Sequence, residues 1–206
     1  DGDGFFEKNK KTGKYRLGAL FFELGIVYAY HSPLRQIIRP HVEQIANESG
    51  VTASWGILRK NRVIIMDRIQ KLPLDTLSYR IGLNLPTYTT AAGKILMSYL
   101  PEEEQNRILE SVNLRKITDA TVADPDKIKE NLKLYRERGY STDEEETQEG
   151  VIAIAVPITN NEGQVIASIS LMDEKSRTNP EKLFRKVDYL KKKALFISRQ
   201  FGFRDY

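Results

Sequence analysis

The sequence has 206 residues, of which 40% are hydrophobic and 29% are charged, and its formal net charge is +4. This length allows one well-packed domain with a small addition, and the absence of Cys excludes disulfides, thiolate metal sites and cysteine catalysis. No apolar run approaches the ~20 residues of a membrane-spanning helix, and the N-terminus lacks the apolar core of a signal peptide. We therefore expect a cytoplasmic chain with no membrane partner.

The first thirty residues predict a hairpin and a helix. Residues 5–16, FFEKNKKTGKYR, place two short strand-like ends around a Lys-rich turn. Lys10, Lys11 and Lys14 are candidate contacts to a DNA backbone, and a solvated turn explains them equally well. Apolar residues then recur at helical spacing over 19–31, which predicts a helix with one apolar stripe that connects domains or meets a second copy of the chain.

The next segment predicts a helix and three strands. Ser32 and Pro33 are typical of a helix start, and the helical pattern continues to Gly50, with Pro40 expected to kink or break it. Alternating β-branched segments predict strands over residues 51–58, 63–69 and 77–81. Their short connections favour antiparallel pairing.

Helices dominate the middle and the end of the chain. Capping residues and breakers predict helices over residues 91–100, 101–112 and 125–139. The last apolar repeat predicts one long amphipathic helix, with its core positions between Leu183 and Phe201. Together with the strands, these helices predict an α+β fold with a mostly antiparallel central sheet.

A second hairpin is predicted between the last two helical regions. Residues 151–158 and 165–171 are strand-like and flank the turn sequence Asn160-Asn161-Glu162-Gly163. Each strand alternates bulky residues with Ala, Ser, Val or Met, so each has one bulky face and one small or polar face. The small face is equally consistent with a ligand site and with the close approach of a helix.

Little in the sequence predicts catalysis. His31 and His41 belong to no metal-binding or nucleophile motif, and no phosphate loop follows a predicted strand. We therefore predict no metal, no cofactor and no catalytic residue. The carboxylates of residues 143–146 keep a hydrolase or lyase as a second hypothesis. Strand alternation would place Asp143 and Glu145 on one face and Glu144 and Glu146 on the other, so at most two would share a site. A solvated edge is the default, and a single inward carboxylate could instead bind a ligand hydroxyl.

A helix start with small side chains is the second polar feature. The segment Thr89-Thr90-Ala91-Ala92-Gly93-Lys94 combines capping residues, three small residues and a cation. Unpaired amides in the first turn of a helix bind anions, so this segment predicts a site for a small carboxylate. Close packing of a helix against the sheet would require the same small residues.

The sequence as a whole resembles the effector-binding domain of the isocitrate lyase regulator (IclR) family of bacterial transcription factors. The resemblance spans most of the chain, and the matching strings are YRLG (15–18), GLNLPTYTTAAGKILM (82–97), RERGYSTDEEE (136–146), GVIAIAVPI (150–158) and GQVIASISL (163–171). It implies a winged helix-turn-helix followed by a ligand domain with a GAF-like or profilin-like sheet. It also implies a homodimer or homotetramer, DNA as a partner of the intact protein, and no enzymatic activity.

The resemblance also implies a ligand site. The amides of Ala91 and Ala92 match the loop that holds a carboxylate effector, and Asp143 matches its acidic partner. The remaining implied positions are apolar or small: Leu74 and Leu77 as the cover, and Val151, Ala153, Ser170 and Met172 on the hairpin strands.

Two of these positions depart from the family pattern. Relatives often carry Cys at the position of Ala153 and Ser at that of Met172, so this pocket should be less polar. A ligand with some apolar surface is therefore favoured over the usual two-carbon and three-carbon ketoacids.

The expected division places the remnant of the wing at 1–18, a linker helix at 19–31 and the effector-binding domain at 32–206. The recognition helix that should precede the wing is absent from the sequence, so we expect a piece of a longer protein. A ligand-free dimerisation module is the third hypothesis, beside the sensor and the enzyme.

Overall fold

The computed structural model describes residues 4–71, 81–82 and 84–204 and divides into two units, residues 1–38 and 39–206. In the first unit, β1 (Phe6–Lys8) and β2 (Tyr15–Leu17) form an antiparallel hairpin. The Arg16 guanidinium and the Glu7 carboxylate bridge the two strands at 2.5 Å. The predicted N-terminal hairpin is therefore present.

Helix α1 (Ala19–His31) has the predicted length but not the predicted stripe. All thirteen of its residues are described, and none of them is buried. Its apolar side chains occur around its whole circumference, from Phe22 at 73% exposure to Tyr30 at 72%. The expectation of a single apolar stripe was wrong because the helix has too few polar residues to form a polar face.

Helix α2 (Pro33–Ser49) runs without interruption through Pro40. Of the kink or break expected at Pro40, the break does not occur. An internal Pro removes one hydrogen bond at a cost of about 3 kcal/mol. The turns after it bury Val42 and Ile45 completely, which contributes roughly 1.5–3 kcal/mol for each side chain and outweighs that cost.

The second unit is built on one sheet. Six strands of the described chain pair antiparallel in the order β5-β4-β3-β8-β7-β6. The α+β fold with an antiparallel sheet is confirmed. The bounds are β3 (Thr52–Arg59), β4 (Arg62–Ile69), β5 (Asn84–Pro86), β6 (Ser141–Glu144), β7 (Val151–Thr159) and β8 (Val165–Glu174).

The strand predicted over residues 77–81 lies mostly outside the described residues, and Ile81 is in a turn. An edge strand that the sequence did not indicate, β5, pairs with β4 instead. Three residues that include a Pro are too few for period-two alternation to be recognised.

Helices cover both faces of this sheet, and their bounds are α3 (Ala91–Ser98), α4 (Glu102–Ser111), α5 (Pro125–Arg138), α6 (Pro180–Phe184) and α7 (Val187–Gln200). Asp124 caps α5 through its side chain, and Gly139 ends it in a left-handed conformation with φ 69°. The single C-terminal helix was a wrong prediction, because a tight turn at Arg185 and Lys186 separates α6 from α7.

The two faces of the hairpin strands pack against different helices. On the small face, Ala153, Ala155 and Met172 belong to one core cluster with residues of α3 and α5. On the bulky face, strand β7 packs against α7, and Ile152, Ile154, Leu171, Leu190 and Ile197 are completely buried there. The close approach of a helix to the small face is thus observed.

Candidate functional site

Two rows of residues cross the small face of the sheet. In the first row, Asp143, Ala153, Met172 and Thr52 are successive cross-strand partners on β6, β7, β8 and β3. Directly paired residues of antiparallel strands point to the same face. The structure therefore brings together three of the predicted site residues, and each of them is 3% exposed or less.

The second row lies two residues along the same strands. Ser141, Ala155, Ser170 and Ser54 are successive partners there. Ser170 is 4% exposed and is one row away from Met172. Val151 is opposite Glu174 on the same face and is part of the core cluster.

The start of α3 lies against these rows. The Thr90 hydroxyl caps the helix by accepting a 3.0 Å hydrogen bond from the backbone N–H of Gly93. Among the described residues, none accepts a hydrogen bond from the backbone N–H of Ala91 or Ala92. Both residues are buried, so two helix-start donors are held inside the protein next to the sheet.

Close packing of α3 requires a residue without a Cβ at position 93, and Gly93 meets this requirement. A Cβ at this position would lie 2.5 Å from the Cα and the carbonyl oxygen of Thr87, which is closer than real Cβ atoms come. The hydroxyl of Ser141 donates to the carbonyl of Ala91 at 2.6 Å and fastens β6 to the same turn. Thus α3 is fixed at contact distance from the small face.

Asp143 is buried, with 1% exposure, so a solvated edge was a wrong expectation for this residue. Its Oδ1 accepts hydrogen bonds from the backbone N–H of Glu146 at 2.9 Å and of Thr147 at 3.3 Å. These bonds close the turn that follows β6. Asp143 therefore organises the backbone as well as contributing a carboxylate to the small face.

The predicted alternation of the four acidic residues stops after Glu144. Glu145 has a left-handed backbone with φ 66°, so it leaves the strand and its side chain turns outward to Lys175 and to the N–H of Gly150. The hydrogen bonds from Lys175 and Gly150 lower the pKa of the Glu145 carboxyl. Hence Asp143 shares the interior with Glu146 and not with Glu145.

A buried ion pair joins this turn to α3. Lys94 Nζ donates to Glu146 Oε1, and the two residues are 3% and 8% exposed. Burial raises the pKa of the Glu146 carboxyl, while the Lys94 ammonium acts in the opposite direction and the Asp143 carboxylate adds to the rise. The Lys94 Nζ also lies 5.6 Å from the centre of the Tyr135 ring.

Sequence reasoning missed the Lys94–Glu146 pair. The available signal was a Lys four residues into a helix whose first three residues are small, since a charge among close-packed residues needs a partner. Spacing along the chain did not identify that partner, which lies 52 positions away.

The other predicted positions separate into two groups. Leu74 and Leu77 lie outside the described residues. Lys10, Lys11 and Lys14 are exposed in and beside the turn between β1 and β2.

In the described part of the chain, no cluster of three or more His, Asp or Glu side chains is placed to hold a metal ion. None of the helices described is both long and apolar enough to cross a membrane.

Comparisons with known proteins agree on one family. A family model described as "Bacterial transcriptional regulator IclR C-terminal" matches residues 26–199. The HTH-type transcriptional regulator XynR of Escherichia coli K12 is 34% identical over 201 residues, which cover 97% of this chain and 79% of XynR.

Solved structures show the same fold. The IclR structure from Thermotoga maritima superposes with a TM-score of 0.84 at 28% identity and covers 98% of this chain and 81% of that one. The inducer-binding domain of PobR from Acinetobacter, a double mutant in complex with 3-hydroxybenzoic acid, gives a TM-score of 0.73 at 30% identity. It covers 80% of this chain and 97% of that domain.

Proposed function

Because this chain belongs to the IclR family of bacterial transcriptional regulators, we propose that its second unit binds a small organic carboxylate that changes operator binding by the intact regulator. Members of the family are transcription regulators and not enzymes. This confirms the expectation that the chain is not an enzyme and removes the catalytic use of residues 143–146.

The observation that carries the proposal is the pair of buried amides at Ala91 and Ala92. Each N–H is directed out of the first turn of α3, where the helix dipole favours an anion. These amides lose their hydrogen bonds to water on burial. A ligand carboxylate held there would give them charge-assisted hydrogen bonds instead. Asp143, on the facing row of β6, is the proposed acceptor for a ligand hydroxyl.

The side chains beside these groups favour an apolar ligand body. Ala153 and Met172 face each other across β7 and β8 and offer no hydroxyl or thiol. Ser170 is the polar side chain that we assign to the ligand from these strands, and Val151 adds apolar surface. The complex of the related PobR domain with 3-hydroxybenzoic acid, an aromatic carboxylate, supports this choice.

A thermal-shift screen tests the proposal. Organic acids, sugar acids and aromatic acids, with 3-hydroxybenzoate among them, are added to the chain, and a ligand that binds only the folded state raises its melting temperature. We expect a rise with at least one carboxylate and none with its amide or alcohol. Equal shifts with a carboxylate and its amide would contradict the proposed site.

Two substitutions locate the site. Ser170→Ala and Asp143→Ala should each weaken the binding of the acid found in the screen, because each removes a proposed ligand contact. Ser176→Ala is the matched control, since Ser176 is exposed after β8 and its hydroxyl bonds Glu174. Unchanged affinity in both site variants, measured by calorimetry, would show that the ligand binds elsewhere.

The first unit provides the proposed link to DNA and to a second copy of the chain. The exposed Lys10, Lys11 and Lys14 would add salt-dependent phosphate contacts to those of the intact regulator. The apolar side chains of α1 are the proposed contact with the second copy in a dimer, since an all-round apolar helix is stable in water only when covered. An effector then acts through its different affinities for two arrangements of such a dimer.

A ligand-free dimerisation module is the second candidate, favoured by the same exposed helix. It predicts self-association without any thermal shift from the acids. The two measurements together separate it from the sensor.

A further inference from the structure

The Lys94–Glu146 ion pair connects the two elements that carry the groups of the proposed effector site. One group is the pair of amides at the start of α3, and Lys94 lies one helical turn beyond Ala91. The other is the Asp143 carboxylate, which accepts from the backbone N–H of Glu146. The side chain of Glu146 thus forms the ion pair with Lys94 of α3, and its backbone N–H donates to the Asp143 carboxylate.

We infer that this ion pair is a positioning element of the effector site, which, together with the Ser141–Ala91 hydrogen bond, sets the separation between the Ala91–Ala92 amides and the Asp143 carboxylate. This inference rests on the proposed function. Lys94 and Glu146 do not contact the ligand in this assignment; they act through Asp143 and through α3.

The surroundings of Glu146 make the pair a rigid connection. Its carbonyl oxygen accepts a 2.7 Å hydrogen bond from the hydroxyl of Thr121, which fixes the turn. The next residue, Thr147, donates its hydroxyl to the Thr89 hydroxyl at 3.1 Å, immediately before the helix. The turn is therefore held by Thr121 and by Thr89, and the charged contact ties it to Lys94 within α3.

Burial explains why the contact is sensitive to a single charge. A buried ion pair has a large desolvation cost, and removing one partner leaves the other charge without compensation. After loss of the Glu146 charge, the Lys94 ammonium must move towards water or bind another acceptor. Asp143 is a buried carboxylate close to Glu146, since it accepts a 2.9 Å hydrogen bond from the Glu146 backbone N–H.

A movement of Lys94 towards Asp143 would occupy the carboxylate that the ligand needs. Binding sites lose affinity when their groups must be rearranged before the ligand can enter. The inference therefore predicts that neutralising either member of the pair lowers effector affinity although neither residue touches the effector.

The first test needs no effector. Backbone amide hydrogen exchange at Glu146 and Thr147, whose N–H groups donate to Asp143, is compared in the wild type, Glu146→Gln, Lys94→Met and Glu145→Gln. Exchange at both amides should rise by about tenfold or more in the first two variants, because the turn loses its tie to α3. Glu145→Gln removes a neighbouring carboxylate of the same turn that does not bond α3, and it should leave these amides unchanged.

The second test separates positioning from general stability, with 3-hydroxybenzoate as the probe. Affinity and melting temperature are measured for Glu146→Gln, for Lys94→Met and for their double variant. Ile197→Ala, a core substitution on the opposite face of the sheet, serves as the destabilised control. The single variants should lose about tenfold in affinity, the double variant no more than either single, and Ile197→Ala less than twofold at a comparable fall in melting temperature.

The outcomes distinguish the two proposals. Unchanged exchange at Glu146 and Thr147 in both single variants overturns the positioning inference, and so does additive loss of affinity in the double variant. If exchange changes as expected but the wild type binds neither 3-hydroxybenzoate nor any other acid, the effector proposal fails and the positioning of Asp143 by the ion pair is upheld.

Discussion

The hydroxyl of Ser141 donates a 2.6 Å hydrogen bond to the carbonyl oxygen of Ala91. Both residues are buried, one at the start of β6 and the other at the start of α3, 50 positions apart in the chain. This bond fastens the helix that carries the proposed ligand amides to the strand that carries Asp143.

Ser141→Ala should destabilise the chain by about 0.5–1.5 kcal/mol, the usual net contribution of one hydrogen bond, because the Ala91 carbonyl lies in α3 and keeps its helical partner. Urea unfolding followed through the fluorescence of Trp55, the single Trp of the sequence, measures the change. Ser176→Ala is the control, because that serine is exposed. Equal free energies of unfolding for Ser141→Ala and the wild type would show that the bond contributes nothing net.

Gly93→Ala should cost about 1–3 kcal/mol, because the added methyl group overlaps the backbone of Thr87 and α3 must shift away. Gly25→Ala is the matched control in α1, where a Cβ meets no atom within 4 Å. That variant should be as stable as the wild type or more stable, since Ala has the higher helix propensity. Thermal unfolding of both variants checks the pair, and similar melting temperatures would contradict the close packing.

Trp55→Phe should lower the free energy of unfolding by about 1–3 kcal/mol. The indole N–H donates to the Asp67 carboxylate at 3.1 Å, and Trp55 is completely buried. Phe fills most of the space but removes this donor from a buried charge. Because the substitution also removes the fluorophore, circular dichroism is the measurement, and Tyr15→Phe, at a side chain that is 61% exposed, is the comparison.

The folding stability should fall in acid, partly because Glu48 becomes protonated. Hydrogen bonds from Tyr189, Lys193 and Gln44 lower the pKa of Glu48 to about 2. A lowered folded-state pKa means that these contacts stabilise the fold above the ordinary pKa of a Glu and are lost as the pH falls through about 2. The melting temperatures of the wild type and Glu48→Gln should therefore differ at neutral pH and converge towards pH ~2.

The matched control is Glu162→Gln, in the exposed turn between β7 and β8. It should follow the wild type across the whole range. A constant difference between the wild type and Glu48→Gln from neutral pH to acid would contradict the role assigned to these hydrogen bonds.

The chain should associate with itself through α1. Phe22→Glu places a charge on a helix that is apolar around its whole circumference, so it should reduce the molecular mass seen by sedimentation. Leu134→Glu, at a single exposed apolar residue of α5, is the control and should leave the mass unchanged. A monomeric wild type would contradict this prediction.

Local sequence patterns determined much of the secondary structure of this protein. Alternation over 151–158 and 165–171 identified β7 and β8, and the capping residues Asp124 and Gly139 located both ends of α5. These features depend on neighbours within a few positions, so residue order alone carries them. The family strings then identified the positions on which the proposed ligand site rests.

Tertiary structure decided what those positions do. Whether Pro40 breaks a helix depends on the apolar burial that follows it, and whether Asp143 is solvated depends on a turn bent by the left-handed Glu145. The pairing of Lys94 with Glu146 joins residues 52 positions apart. Such contacts follow from how the sheet and helices pack. The cost of burying a charge is set by the residues close to it in space, and these can be far away in the sequence.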